Sequence, residues 1–520
     1  MGKFMRIAHR RWLRATNVLG CSAAALALLS APAAWAQQAE ATEPGPQAEE
    51  VGSDIVVIGR RGSAVTDIAP VLEMDADAIA ATGAATVPEL MQAIRGATQS
   101  PSGGEPIFLL NAQRVSSYQE IGSLPPEAIE KVEVLPEQAA LRFGFPPTRR
   151  VVNFITKARF RQIEVKGSAT TTTRWGTATQ KANLGLTRLQ AGGRLTLGLE
   201  LRRSDPLYQS ERDLVPDPDI PFDSIGNITG VTDGEIDPAL SLAAGQTVTI
   251  APLPVAAADR NNLAAFATSG NRARLFDVGL YDTLTPRNEG IKAEAVMANR
   301  ISETVAGSLS LSAEHSRDRA QSGPATMRLL VPATNPYSPF TRPVILNRYL
   351  TEAALLRQSE ATTTLHAGVT LRGAIAGWRW DFTGVLDHKE RAGRNDRGIS
   401  LDLANAAIAA GANPFGPLDA ALLAARLTDD TRFRTRTMGA KTVVNNTPIR
   451  LPAGQVTVTG TVEADQMSAV SGSRGPSPSN LSLGRARIEG GIAIDVPLTS
   501  RREKVLPAIG DLSLNASVNA

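Results

Sequence analysis

The sequence predicts a mainly β protein: a transmembrane antiparallel β-barrel, incomplete at its C-terminus, preceded by a small α+β domain. Three observations predict it. From about Arg161 onward, long stretches alternate apolar and polar residues with period two, the pattern of strands with one apolar and one polar face. Short turns and long polar loops alternate between those stretches. Beyond the first 36 residues no run of 18 apolar residues occurs, so no helix is expected to cross a membrane.

The first 36 residues carry Lys3, Arg6, Arg10, Arg11 and Arg14, no Asp or Glu, and an apolar run from about Leu19 to Leu29. Ala34-Trp35-Ala36 fits the small-x-small rule. Residues 1–36 therefore read as a secretory signal peptide cut before Gln37. Cys21 lies ahead of most of the apolar run, which disfavours a lipoprotein site. The whole chain has a formal charge of +3, so subtracting those five positives leaves −2 for the rest. That balance gives a nucleic-acid partner no electrostatic support. Cys21 is the only cysteine, and the four histidines are scattered. No metal site, no cofactor, no disulfide and no thiol nucleophile is expected in the mature chain.

Residues 37–60 read as a flexible leader holding one short β-branched run, Asp54-Ile55-Val56-Val57-Ile58. That run is open to two readings: an unpaired strand offered to a partner's sheet edge, or the first strand of the small domain.

Residues 61–157 read as the small domain. Asp75 to Ala81 suggests a short helix. Thr86-x-x-Glu89 is a capping box with Pro88 in the first turn and Gly96 beyond the end, which predicts a helix over Val87–Arg95. Ile107–Leu110 reads as a buried strand, Asn111–Arg114 as a turn, and Pro125-Pro126-Glu127 as a brief helical turn. Ile129–Leu135 reads as a half-buried strand and Glu137–Phe143 as two helical turns stopped by Gly144. Val151–Ile155 is a second short strand.

The segment from Ile129 to Lys157 resembles the end of the plug domain of TonB-dependent outer-membrane receptors. The matching residues are Ile129, Val132, Glu133, Val134, Leu135, Gly144, Val152, Asn153, Ile155, Thr156 and Lys157. Pro136-Glu137-Gln138 and Arg149-Arg150 depart from the usual Arg-Gly-Pro and Gly-Gly. Asp54 to Ile58 is similar to the TonB box of the same family. The resemblance implies a receptor that imports a scarce small ligand (an iron chelate, cobalamin, a glycan or similar). Its partners would be the TonB energy-transducing complex and outer-membrane lipid.

Residues 158–520 read as the barrel. Leu195, Leu197, Leu199 and Leu201 alternate with Thr196, Gly198, Glu200 and Arg202. Similar runs surround Leu309, Leu365, Val458 and Leu514. A soluble sandwich also alternates, but with shorter strands. Short turns are expected near 191–193, 302–304 and 373–377, and long external loops at about 204–270, 318–358 and 391–433. Trp378, Trp380 and Phe382 share one face after a short turn, as interfacial aromatics do. Roughly a dozen strands are expected where plugged barrels have about 22, and the chain stops within an alternating run at Ala520.

No catalytic constellation emerges. Asp213, Asp217, Asp219 and Asp223 cluster in the first long loop and read as a solvated acidic segment. Tyr208, Phe222, Tyr337 and Phe340 place aromatics on external loops as candidate ligand contacts. A passive porin-like channel, a surface-binding or signalling receptor, and an exported enzyme are the rival classes.

Overall fold

The hydrophobic period changes near Lys157, and the architecture changes with it. The structure, a computed structural model of the chain, describes residues 69–520 apart from 191, 215, 216, 218, 233 and 502. The signal peptide, the leader and Asp54–Ile58 lie outside the described residues.

Among the described residues the small domain has five strands: β1 Leu72–Asp75, β2 Ile107–Leu110, β3 Gln113–Arg114, β4 Ile129–Leu135 and β5 Val151–Thr156. Their order is β1-β4-β5-β2-β3, with β2 and β5 parallel. One face packs on helices through Ile79, Leu90, Ile121 and Phe154. The other packs on Ala139, Ala140 and Phe143. The central strand β5 is therefore buried along its whole length, as strands covered on both faces are. Asp75 and Thr86 cap helices Ala76–Ala81 and Val87–Ala93. Glu89 reaches back to the Ala85 N–H rather than to that of Thr86.

Four local expectations are corrected. The Val87 helix ends at Ala93, and Gly96 lies inside a separate turn, Arg95–Thr98. Asn111 and Ala112 both take positive φ (49° and 65°), forming a two-residue hairpin turn, so Gln113–Arg114 is strand. Glu137–Phe143 is a 3₁₀ helix, closed by Gly144 at φ +70°. β4 is buried on both faces in its second half, where Glu133 receives Lys131 at 3.0 Å and Asn153 at 3.3 Å.

Beyond Lys157 the chain forms β6 Phe160–Thr171, β7 Ala178–Gln190 and β8 Gly193–Ser204. A long connection carries β9 Leu207–Tyr208, β10 Asn227–Gly230, β11 Ile250–Pro252 and β12 Thr283–Thr285. Then follow β13 Arg287–Arg300 and β14 Val305–Gln321, β15 Ala325–Val331 and β16 Val344–Leu350, and β17 Arg357–Ile375 and β18 Trp378–Ile399. The last are β19 Arg426–Leu451, β20 Gly454–Arg474, β21 Ser479–Thr499 and β22 Leu512–Asn519.

Eleven of these make one antiparallel sheet, ordered β22-β21-β20-β19-β18-β17-β14-β13-β8-β7-β6. β6 and β22 are its edges and, among the described residues, do not pair. The sequence predicts an antiparallel barrel that is incomplete, and the described residues form such an antiparallel sheet without closing it into a ring. In an antiparallel run of eleven, the first and last strands point the same way, so they cannot extend the antiparallel ladder into a ring.

The loops differ more. The strands run further than their alternation suggests, so the third external loop shrinks to 400–425. The connections 205–286, 322–356 and 400–425 fold together into a cap. Its sheet is ordered β11-β10-β16-β15. Helices Pro238–Ala244, Leu263–Ala267 and Asp402–Ala409 cover it. Ile228, Leu240, Phe266, Met327, Leu329 and Leu346 are fully buried in its core.

Candidate functional site: the two faces of the sheet

Side chains alternate across a strand, so each strand of the large sheet assigns its residues to two faces. On the inner face are Arg194 and Thr196 of β8, Ser308 and Ser310 of β14, Gly368 and Thr370 of β17, and Asp381 and Thr383 of β18. Several of these touch the small domain. On the outer face are Leu197, Leu201, Ile291, Leu309, Leu311, Leu365 and Leu386, each at least 39% exposed. The polarity is inside out for a protein in water. A contiguous exposed apolar face of this extent marks contact with lipid or another apolar surface. Trp378, Trp380 and Phe382 lie on this outer face, in register with Ile375, Gly373 and Leu371.

The inner face holds the small domain by polar contacts. Arg194 donates from Nη1 to the Glu120 carbonyl at 2.9 Å and from Nη2 to its carboxylate at 3.1 Å. Ser308 donates to the same carboxylate at 3.3 Å. Ser116 bonds Glu120 at 2.6 Å and Ser310 at 2.7 Å. Ser310 lies 3.4 Å from His366 Nε2, whose Nδ1 meets Asp387 at 2.7 Å. Further round the sheet, Arg142 reaches Asp495 of β21 at 3.9 Å. Phe145 sits between Arg114 and Lys441, with the cations 4.7 and 4.6 Å from its ring centroid. Contacts on β8, β14, β19 and β21 mean that the sheet curves round the domain. Burial lowers the Arg114 guanidinium from its usual value, against the pull of Asp381 and Glu463.

A Ser-His-Asp sequence in space invites an enzymatic reading. Ser310 is only 3% exposed and is covered by Ser116, so a substrate carbonyl has no approach to it in this arrangement.

A cavity of about 200 Å³ lies between the small domain and the sheet, with Arg114, Glu120, Arg194, Arg372 and Asp381 in its lining. A second, of about 600 Å³, lies where the cap meets the strand ends and includes Tyr208 and five arginines: Arg287, Arg319, Arg357, Arg394 and Arg426. A third, of about 730 Å³, lies within the cap beside Arg260 and Arg348. Burial, then the neighbouring Arg348 and Arg274, lowers the Arg260 guanidinium.

The four aromatic candidates separate. Tyr208 lines the arginine-rich cavity. Phe222 is half-buried, its ring 5.5 Å from that of Tyr349. Tyr337 is 43% exposed. Phe340 is 3% exposed and packs edge-on against Phe266 at 5.0 Å in the core of the cap. The structure does not bring the four together. In the acidic segment, Asp223 is 2% exposed and accepts from the N–H groups of Ile225 and Gly226. Its task is to fix a turn. Among the described residues no group of three or more His, Cys, Asp or Glu is placed to hold a metal ion.

The sequence reading missed the Arg194–Glu120 pair and the arginines of the second cavity. Arg319 alone of the latter left a signal: with Arg317 it recurs at the strand period on the otherwise apolar parity of β14.

No family model matches the chain, and no curated protein matches it. Among solved structures it is similar to the ferric-catecholate import receptor Fiu from E. coli K12. The identity is 12% and the TM-score 0.31, over 83% of this chain and 67% of that one. It is similar to BauA, the ferric preacinetobactin receptor from Acinetobacter baumannii, at 10% identity and TM-score 0.32, over 82% and 61%. It is also similar to the RagAB peptide importer at 9% and 0.38, over 76% and 47%. The chain thus spans from about half to two thirds of the length of these proteins, and TM-scores this low carry no argument about what it does.

Proposed function

We propose that this chain is a TonB-dependent outer-membrane receptor, which imports a scarce small ligand by energy-coupled displacement of its small domain. One observation carries the reading: a large antiparallel sheet, apolar outside and polar inside, curves round a separately folded α+β domain. Lipid suits the outer face. The inner face holds the domain through discrete polar bonds, each contributing about 0.5–1.5 kcal/mol net where both partners are neutral and about 1.5–3 kcal/mol where one is charged. Such a seat is suited to release under a directed pull. A domain sealed by an apolar interface would resist it.

The resemblance of Ile129–Lys157 to a plug terminus supports the same reading, since that segment forms β4, the 3₁₀ turn and β5 in order. In this scheme residues 1–36 direct export to the outer membrane. Asp54 to Ile58 then adds a strand to the energy-transducing partner. Tyr337, exposed on the cap, is the aromatic candidate best placed to meet ligand.

The test is uptake by cells carrying the gene, with Val56→Pro against wild type, screened over ferric chelates, cobalamin and oligosaccharides. Proline removes a backbone donor and blocks strand pairing. Uptake lost while the protein still reaches the outer membrane supports energised import. Untouched uptake removes Asp54–Ile58 as the coupling strand and favours a passive pore.

A further inference from the structure

The outer positions of β14 run Val305, Gly307, Leu309, Leu311 and Ala313, then His315, Arg317 and Arg319. The apolar part covers about 30 Å of strand at ~3.3 Å per residue, or roughly 20 Å of height at a 45° tilt. That is close to the roughly 25 Å apolar band of a membrane barrel. The arginines begin where the band stops. Registration carries them sideways: Arg287 of β13 pairs with Arg319, Arg319 with Ser359, and Ser359 with Arg394. On β19 the register partner of Arg394 is Asp430, and the next outer positions, Arg432 and Arg434, 62% and 48% exposed, both pair with Glu390.

The cap overhangs part of this row and encloses the cavity of about 600 Å³. Five arginines line it against one carboxylate, Asp396. Arg426 pairs with Asp396 at 2.8 Å, and Arg287 and Arg319 share Glu289 at 2.5 and 3.7 Å. Arg394 stands 4.0 Å from Asp430. Positive charge stays in surplus. Guanidinium forks match phosphate oxygens bidentately. Leu355 and Ala354 add an apolar wall.

We propose that this cavity is a binding site for the phosphate-bearing headgroup of an anionic lipid in the surrounding leaflet. The occupant is lipid rather than a soluble phosphate because the lining arginines face outward and continue directly from the apolar band. A lipid whose tails lie on Leu309 and Leu311 therefore places its headgroup at Arg319. The proposal rests on the membrane reading above.

The full chain is offered vesicles of phosphatidylcholine alone, and of phosphatidylcholine with phosphatidylglycerol. Insertion is read by flotation, and retained lipid by native mass spectrometry after extraction. The expected result is insertion into both, with preferential retention of phosphatidylglycerol that falls as NaCl rises. Arg319→Gln and Arg394→Gln should each lower that preference about fivefold and leave insertion into phosphatidylcholine unchanged. Insertion without preference, or variants that retain phosphatidylglycerol like wild type, overturn the site. Displacement of the lipid by inorganic phosphate at equal concentration overturns the lipid as its occupant. Failure to insert into phosphatidylcholine alone overturns the membrane reading itself, and the site with it.

Discussion

Arg194 of β8 and Glu120 of the small domain are joined twice, through the Glu120 carbonyl at 2.9 Å and its carboxylate at 3.1 Å. They are 8% and 2% exposed. A buried pair offsets its own desolvation only when both partners are present. Arg194→Ala should therefore destabilise the seating of the small domain by about 3–5 kcal/mol, because Glu120 stays buried without its cation. The double variant Arg194→Ala with Glu120→Ala should recover much of the loss. Protease accessibility of residues 115–125 in the detergent-solubilised chain checks this. Equal susceptibility of the double and single variants would contradict it.

Gly368 sits beside the next contact. A Cβ there would stand 2.1 Å from Ser116 Oγ and 2.6 Å from Ser310 Oγ, inside the 2.7 Å bond that links domain and sheet. Gly368→Ala should break that bond and push the domain off β14 and β17 without disturbing strand pairing. The expected signature is faster amide exchange at Ser116–Ile121 with unchanged protection of β17. The comparison variant Ser116→Ala removes the obstructing hydroxyl and should soften the effect of Gly368→Ala.

Asp237 ties two distant parts of the cap. It caps helix Pro238–Ala244 through the N–H groups of Ala239 and Leu240, and accepts from the Thr341 hydroxyl and the N–H groups of Thr341 and Arg342. Burial acts to raise its carboxyl, but the bonds from Thr341, Leu240 and Ala239 outweigh it and hold the group below its usual value. A carboxyl depressed by folding contributes stability that is complete above the unfolded value, near 3.9, and is lost as pH falls through the folded value. Amide exchange in 237–244 and 341–342 should therefore accelerate from about pH 4 downward. Asp237→Asn should weaken the cap at neutral pH and flatten that acid response. A response unchanged in Asp237→Asn would place the sensitive group elsewhere.

The parts of the structure legible in the sequence are those whose partners are near in the chain. β13 and β14 are joined by a short turn, and their apolar residues repeat on one parity, so Leu309 and Leu311 announced both the strand and its exposed face. The Ile129–Ile155 segment was legible for the same reason: β4 and β5 pair across a short connection. The cap was not. β10 pairs with β16 through Asn227 and Asn347, and Asp237 finds Thr341. No local pattern encodes pairings that distant. The run Ala325, Met327, Leu329 and Val331, buried at every second residue, was the signal available for a folded element in that loop. The inner-face seat was illegible for a different reason. Arg194, Ser310 and Gly368 look like any polar or small residue on a strand until the domain they touch is placed against them.

Phe340 shows how the cap changes the reading of a loop aromatic. From sequence it is a candidate ligand contact. In the structure it packs against Phe266 within the same core as Leu240 and Met327. Aromatic truncation in such a core costs about 3–5 kcal/mol. Phe340→Ala should therefore loosen the whole cap, with exchange rising together at β10, β15, β16 and helix Leu263–Ala267, while β13, β14 and β17 keep their protection. Tyr337→Ala, three residues earlier and exposed, should leave all of these unchanged. A Phe340→Ala chain with the cap still protected but ligand uptake reduced would return Phe340 to the binding surface. Loss of protection across the cap assigns it to packing, and any fall in uptake then follows from the loosened cap rather than from a lost ligand contact.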